Sequence, residues 1–376
     1  MTPAAQVVHR RIIFEGSAQP GASHNLALPS LLHCPDGSVL LAYRAGRTKT
    51  SADGTQRLWR SPDAGATWNP VPFPVSRTPA GQPGELRTAA LSRIDDGRIG
   101  MLLTWIDHPD DATPIVNPAT EGLLPIHIGW LTSADNGSSW SPLQEVHPAP
   151  LVQPCGNGPV LRLPDGRLLA AFECYKAFND PAPWSSRSAV IFSSDEGQRW
   201  QQPLVVAADP GHLRFFWDQH VHRLRDGSVV DIMWSDDRRH PEKSEIYLTR
   251  STDSGSTWSR PQSTGIAGQF STLLELADGR LALIYVARSG DPSIRLRFGR
   301  DGGRVWDGAD ALVVYSQSTD DLAAVKDRAY GDHLRNMAQW SFGWPTAIEL
   351  SPGRVFLSYY VAEKDRSSVV LAELHL

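Results

Sequence analysis

Six times along the chain a short apolar run meets a tight polar turn and continues into a second apolar run. The copies are LLHCPDGSVLLAY from Leu31, LSRIDDGRIGMLL from Leu91, VLRLPDGRLLAAF from Val160, VHRLRDGSVVDIM from Val221, LLELADGRLALIY from Leu273 and IELSPGRVFLSYY from Ile348. Asp-Gly between runs of β-type residues predicts a hairpin, because glycine accepts the positive φ that a tight turn requires. The sixth copy carries Pro352-Gly353 at its turn instead.

A second unit repeats in step with the first: SPDAGATW from Ser61, SADNGSSW from Ser133, SSDEGQRW from Ser193, STDSGSTW from Ser251 and the weaker GRDGGRVW from Gly299. Each follows one hairpin and precedes the next. A repeat therefore reads as four antiparallel strands, with the Asp and Gly of the second unit shaping a turn and its Trp packing between strands. The last repeat stops three strands in, at SVVLAELHL. Residues 7–14, VVHRRIIF, are the expected fourth strand, which would close the structure and cover an open edge.

The second unit is the Asp-box, and with it the chain resembles the sialidase (neuraminidase) superfamily over nearly its full length. That resemblance implies an all-β fold: a six-bladed β-propeller of four-stranded antiparallel blades, one domain over residues 1–376. The long inter-blade segment at about 307–339, containing LAAVKDRAYGDHLRNM, is read as an insertion that could form a lid helix.

Composition narrows the partners. With 41% hydrophobic residues, 20% charged residues and a net charge of −5, the chain lacks the basic field that nucleic acid selects. Three cysteines, Cys34, Cys155 and Cys174, have no metal-ligand spacing and are expected as reduced thiols. No metal or cofactor is expected. The N-terminal residues lack the apolar stretch of a signal peptide, and no run approaches a membrane span; a cytoplasmic location without membrane contact is the expectation.

Strand direction alternates within a blade, so both kinds of repeated turn fall on one face. Non-repeating loops collect on the other, where a carbohydrate pocket is expected. There the sequence places Arg44, Arg47 and Asp53 after hairpin one, with Glu85 and Arg87 before hairpin two. Hairpin three offers Asn157, Glu173 and Tyr175, and hairpin four Trp217, Asp218, His220, Trp234, Asp236 and Arg238. Hairpins five and six add Gln269, Arg288, Trp344 and Tyr360. Six Trp outside the Asp-box turns and the strands just before them, Trp105, Trp184, Trp217, Trp234, Trp340 and Trp344, all map to this face, where aromatic rings can stack on sugars.

In sialidases three arginines clamp the substrate carboxylate, a Tyr–Glu pair supplies the nucleophile and an early Asp is the acid/base. This chain has Ala27 where the first arginine is expected, Asp218 in place of the Glu, Trp234 and Ser235 where the second arginine is expected, and Phe270 and Trp344 where a Tyr would open a hairpin. Asp53 is the counterpart of the acid/base by location. The leading expectation is an exo-acting glycoside hydrolase using a carboxylate pair, Asp218 with Glu173, and with Asp53 and Asp236 as further candidates. Arg44, Arg47, Arg87, Arg238 and Arg288 would hold acidic or hydroxyl groups, with Trp217, His220, Trp234, Trp344 and Tyr360 against the sugar. The alternatives are a lyase acting on uronates, with His24, His220 or Tyr360 as base, and a non-catalytic glycan-binding propeller.

Overall fold

The computed structural model describes residues 4–317 and 341–376, apart from 18, 20–22, 77, 96, 241–242, 289 and 364–365. Among these residues the regular structure is strand, with two short 3₁₀ turns. The strands form small antiparallel sheets arranged as a β-propeller, each running outward in chain order, as in Arg214–Arg223, Val229–Asp237, Ser244–Ser251 and Gln262–Ala267. The largest sheet has eight strands. It consists of two four-stranded halves, from the two ends of the chain, joined by one parallel pair, Asn25 with Ser367.

The hairpin turns form as the sequence predicts. Asp36 accepts the Ser38 N–H at 3.0 Å and Asp226 the Ser228 N–H at 2.9 Å, while Gly37 and Gly227 both take φ 84°. Four of the Asp-box turns, those that begin with Ser, repeat one hydrogen-bond set. Ser61 Oγ donates to Asp63 Oδ1 at 2.9 Å, Gly65 N–H donates to Ser61 Oγ at 2.7 Å, and Asp63 Oδ1 accepts Thr67 N–H at 2.8 Å. The box glycine also abuts the preceding sheet: a Cβ on Gly197 would lie 2.1 Å from the Trp130 ring, and one on Gly65 2.9 Å from Phe356. The second contact joins the two ends of the chain.

Residues Gln6–Phe14 pair antiparallel with Arg366–His375, from Gln6 with His375 to Phe14 with Val369. Phe14 then packs on Trp59 of the first hairpin's sheet, ring centroids 4.4 Å apart. Buried apolar side chains fill the spaces between neighbouring sheets, as where Ile128 and Trp130 meet Val160, Leu168 and Phe172. Of the expected insertion, Leu312–Ser316 is a strand paired with Ser293–Arg300, and LAAVKDRAYGDHLRNM lies outside the described residues.

Candidate functional site

The innermost strands break register near their channel ends. Shifts fall between Ala27 and Ser30, Leu86 and Thr88, Trp217 and His220, Gln269 and Ser271, and Gly343 and Thr346. Such bulges re-aim a side chain at the cost of a ladder bond. Three of the re-aimed residues take the left-handed conformation, Leu28 at φ 55°, Asp218 at 51° and Trp344 at 57°. For non-glycine residues this carries strain, tolerated where the surroundings fix it. The resulting ring is Leu28, Arg87, Asp218, Phe270 and Trp344, with Asn157 in the gap between the short strands Pro154–Cys155 and Leu161–Arg162.

Above the ring lies a chamber whose walls include Asp218, Lys49, Arg87, Arg288, Gln269, Trp234, Trp344 and Tyr360. Asp218 is the one carboxylate on those walls among the described residues. Its Oδ2 accepts the Trp234 indole N–H at 2.7 Å and its Oδ1 accepts Asn157 Nδ2 at 2.9 Å. Burial pushes it up to about 6, against the Trp234 and Asn157 hydrogen bonds and the nearby Arg87.

Glu173, the expected partner carboxylate, does not face the chamber. It is fully buried on Leu168–Cys174, behind Asn157, whose Nδ2 also donates to Glu173 Oε1 at 3.0 Å. Tyr175 Oη donates to the same oxygen at 3.0 Å. Burial and the neighbouring Asp218 raise Glu173 well above the usual carboxylate range. The two acids thus share one amide rather than flanking an open space.

Three cations share the chamber. Arg288 donates through Nη2 to the Phe342 carbonyl at 2.7 Å and through Nε to Gln269 Oε1 at 3.2 Å, and it also bonds Tyr360. Arg87 donates to the Lys49 carbonyl. The Lys49 ammonium sits 4.8 Å from the Tyr360 ring centroid, and burial, then Arg288 and Arg87, lowers it to about 7. Lys49 did not stand out in the sequence.

The remaining expected site residues lie elsewhere. Arg44 is fully buried, with Nε 2.7 Å from Glu85 Oε2 and its guanidinium donating to the carbonyls of Thr48 at 2.6 Å and Ser51 at 2.8 Å. It holds the loop that presents Lys49 rather than meeting a ligand. Arg47 and Asp53 pair with each other on the exposed rim, where Arg47 also meets Asp111. Arg238 pairs with Glu121 at 2.8 Å, also at the rim. Asp236 is buried in its strand opposite Phe215. His220 lines the axial channel beneath the ring, edge-on to Phe270 at 5.2 Å, and burial lowers it to about 4.

The tryptophan expectation needs the same correction. Trp234 and Trp344 line the chamber, although Trp234 is as buried as Trp184 and Trp217, and Trp105, Trp184 and Trp217 are buried away from its walls. Trp217 stacks behind Trp234 at 5.9 Å, and Trp184 packs against it in the same apolar cluster. Trp340 lies outside the described residues.

Residues 113–359 match the BNR repeat-like domain family. No curated protein matches the chain in sequence. Among solved structures, the chain is similar to a Dyadobacter fermentans protein of unknown function at 20% identity and TM-score 0.76, with both chains covered in full. It is also similar to a Hadza microbial sialidase at 17% identity and TM-score 0.64, over 93% of this chain and 66% of that one. Trypanosoma rangeli sialidase in complex with sialic acid is similar at 12% identity and TM-score 0.65, over 99% of this chain and 59% of that one. At these identities the likeness concerns the fold.

Proposed function

The chain belongs to the BNR repeat-like domain family, and from that premise we propose a six-bladed, exo-acting glycoside hydrolase that removes a terminal acidic sugar. Counting the eight-stranded sheet as two blades supports the number six. The observation that carries the activity is one chamber that holds, among the described residues, a single carboxylate, Asp218, and three cations, Lys49, Arg87 and Arg288.

The cations suit a sugar bearing a carboxylate or similar anion, and partial burial strengthens that attraction. Trp234 and Trp344 offer aromatic faces to the ring. An acid held near 6 can keep a proton in mildly acidic solution and deliver it to a leaving oxygen, the task of a general acid. Solved relatives include sialidases, which supports a sugar acid as substrate class. A uronate lyase is the second reading, with Tyr360 as its base: Arg288 bonds the Tyr360 hydroxyl and favours the phenolate, while burial acts more strongly the other way and raises Tyr360 above its ordinary value.

The test is a screen of wild type and Asp218→Asn against aryl glycosides of sialic acid, uronic acids, arabinose and rhamnose. Wild type should release aglycone from the acidic substrates, and the variant should be slower by on the order of 100-fold or more. Ultraviolet absorbance from a new C=C bond would establish the lyase instead. Binding without any release would establish a glycan-binding propeller.

A further inference from the structure

We propose that Glu173 is a positioning residue that acts on Asp218 through the bridging amide of Asn157, and that it does so as an uncharged carboxylic acid. The inference rests on Asp218 being the proton-handling group of the site.

The bonding geometry supports the uncharged state. Both side-chain donors that reach Glu173, Asn157 Nδ2 and Tyr175 Oη, converge on Oε1 at 3.0 Å, and the Asp218 backbone N–H also approaches the carboxyl. Oε2 is buried and has no hydrogen-bond partner among the described residues. No cation forms an ion pair with Glu173 among them. An ionised carboxylate with one oxygen bare and buried would carry a desolvation cost of several kcal/mol, whereas a carboxylic acid with its proton on Oε2 leaves a neutral O–H donor unmatched, at a smaller cost of about 1–3 kcal/mol.

The amide then works as a ruler. Asn157 Nδ2 carries two protons, and the structure directs one to each acid. Oε1 of Glu173 fixes where the second proton points, and that proton, with the Trp234 indole, holds the Asp218 carboxyl on its left-handed backbone. Asp218 also faces Arg87, Lys49, Arg288 and Tyr360 across the chamber, with Cys155 and His220 beside it. Glu173 faces Tyr175, Cys155 and Cys174. Asn157 hydrogen-bonds both acids.

Glu173→Gln preserves an uncharged acceptor for Asn157 and Tyr175, and Glu173→Leu removes it. On the released-sugar assay, Glu173→Leu should lower kcat roughly ten- to hundredfold with little change in KM and should displace the pH limb that Asp218 sets. Glu173→Gln should rescue it to within about threefold of wild type, on the wild-type limb. Carbon-13 carboxyl NMR of the full chain, assigned with Asp218→Asn and Glu173→Gln, gives a readout that needs no turnover. The Glu173 carbon should stay in its protonated position from pH 4 to 7 while Asp218 titrates. A Glu173 signal that ionises below pH 7, or a Glu173→Gln variant as inactive as Asp218→Asn, overturns the proposal. Absence of sugar release with the expected NMR behaviour overturns the hydrolase reading, on which the positioning role rests, and leaves standing only the uncharged state of Glu173. If Glu173→Leu fails to fold, as circular dichroism would show, the glutamine variant and the titration decide alone.

Discussion

The indole N–H of Trp234 donates to Oδ2 of Asp218 at 2.7 Å, and of the effects that hold this buried acid down to about 6 it is the largest. Trp234→Phe keeps an aromatic ring on Trp217 and removes the donor. Losing a hydrogen bond made to the ionised form favours the protonated form, so Asp218 should move upward by about one pH unit, equivalent to about 1.4 kcal/mol. The limb of the kcat/KM profile set by Asp218 should follow it. An unmoved limb would show that Asp218 does not set the profile.

Lys49 should make anion binding depend on pH near neutrality. Its lowered value, about 7, means that the ammonium loses its proton between pH 6 and 8, below the range in which Arg288 would lose its own. Affinity for a free sugar acid should fall by up to about tenfold across that range, because the neutral amine no longer attracts the anion. Asp218 also ionises near this window and would repel the same ligand, so calorimetry belongs in the Asp218→Asn background. There, Lys49→Met should bind more weakly at pH 6 and show a flat profile. A steep profile in that double variant would assign the effect to another group.

The scaffold was legible because its determinants are local and repeated: Asp-Gly turns, Asp-box turns and alternating apolar runs each act over a few residues. The ring was partly legible too. Leu28, Asn157, Asp218, Phe270 and Trp344 each stand nine residues before a turn glycine, and Arg87 stands ten before Gly97. That spacing places a residue at the bulge and locates Asp218 without any structure. Lys49 escaped notice because its loop has no period, and its position depends on carbonyl bonds from Arg44 and Arg87. Arg44 and Glu173 looked like site residues by chain position. Strand parity and neighbouring sheets turn both away from the chamber, and sequence order alone does not encode those long-range contacts.

Arg44→Met tests that loop-holding role. Among the described residues the change leaves Glu85, which is fully buried, with only the more distant Arg87 at 3.5 Å, and it frees the Thr48 and Ser51 carbonyls. Stripping one partner from a buried ion pair costs about 3–5 kcal/mol. The melting temperature should drop accordingly, and affinity for sugar acids should fall with it because Lys49 loses its anchor. Arg44→Met with Glu85→Gln should recover much of the stability, since no buried charge is then left behind. A single variant as stable as wild type would mean the pair is not held as the structure shows.

Asp231 sits outside the site and should limit stability at neutral pH. It is fully buried between Val221 and Thr249 on neighbouring strands, neither of its carboxyl oxygens has a hydrogen-bond partner among the described residues, and burial raises it well above the usual carboxylate range. The folded chain therefore keeps a proton that the unfolded chain has released above about pH 4. With fewer protons bound unfolded than folded, stability from this group is fully present below that value and is lost as pH rises toward the folded value, by about 1.4 kcal/mol per unit. Asp231→Asn has no proton to hold and should flatten this slope. Asp231→Leu should also remove an unsatisfied polar group, for a gain of about 1–3 kcal/mol at pH 7. Denaturant midpoints measured from pH 5 to 8 provide the check: the advantage of both variants over wild type should widen with pH until Asp231 ionises in the folded chain. An advantage that stays constant or shrinks across that range would show that Asp231 is already ionised and paired when folded.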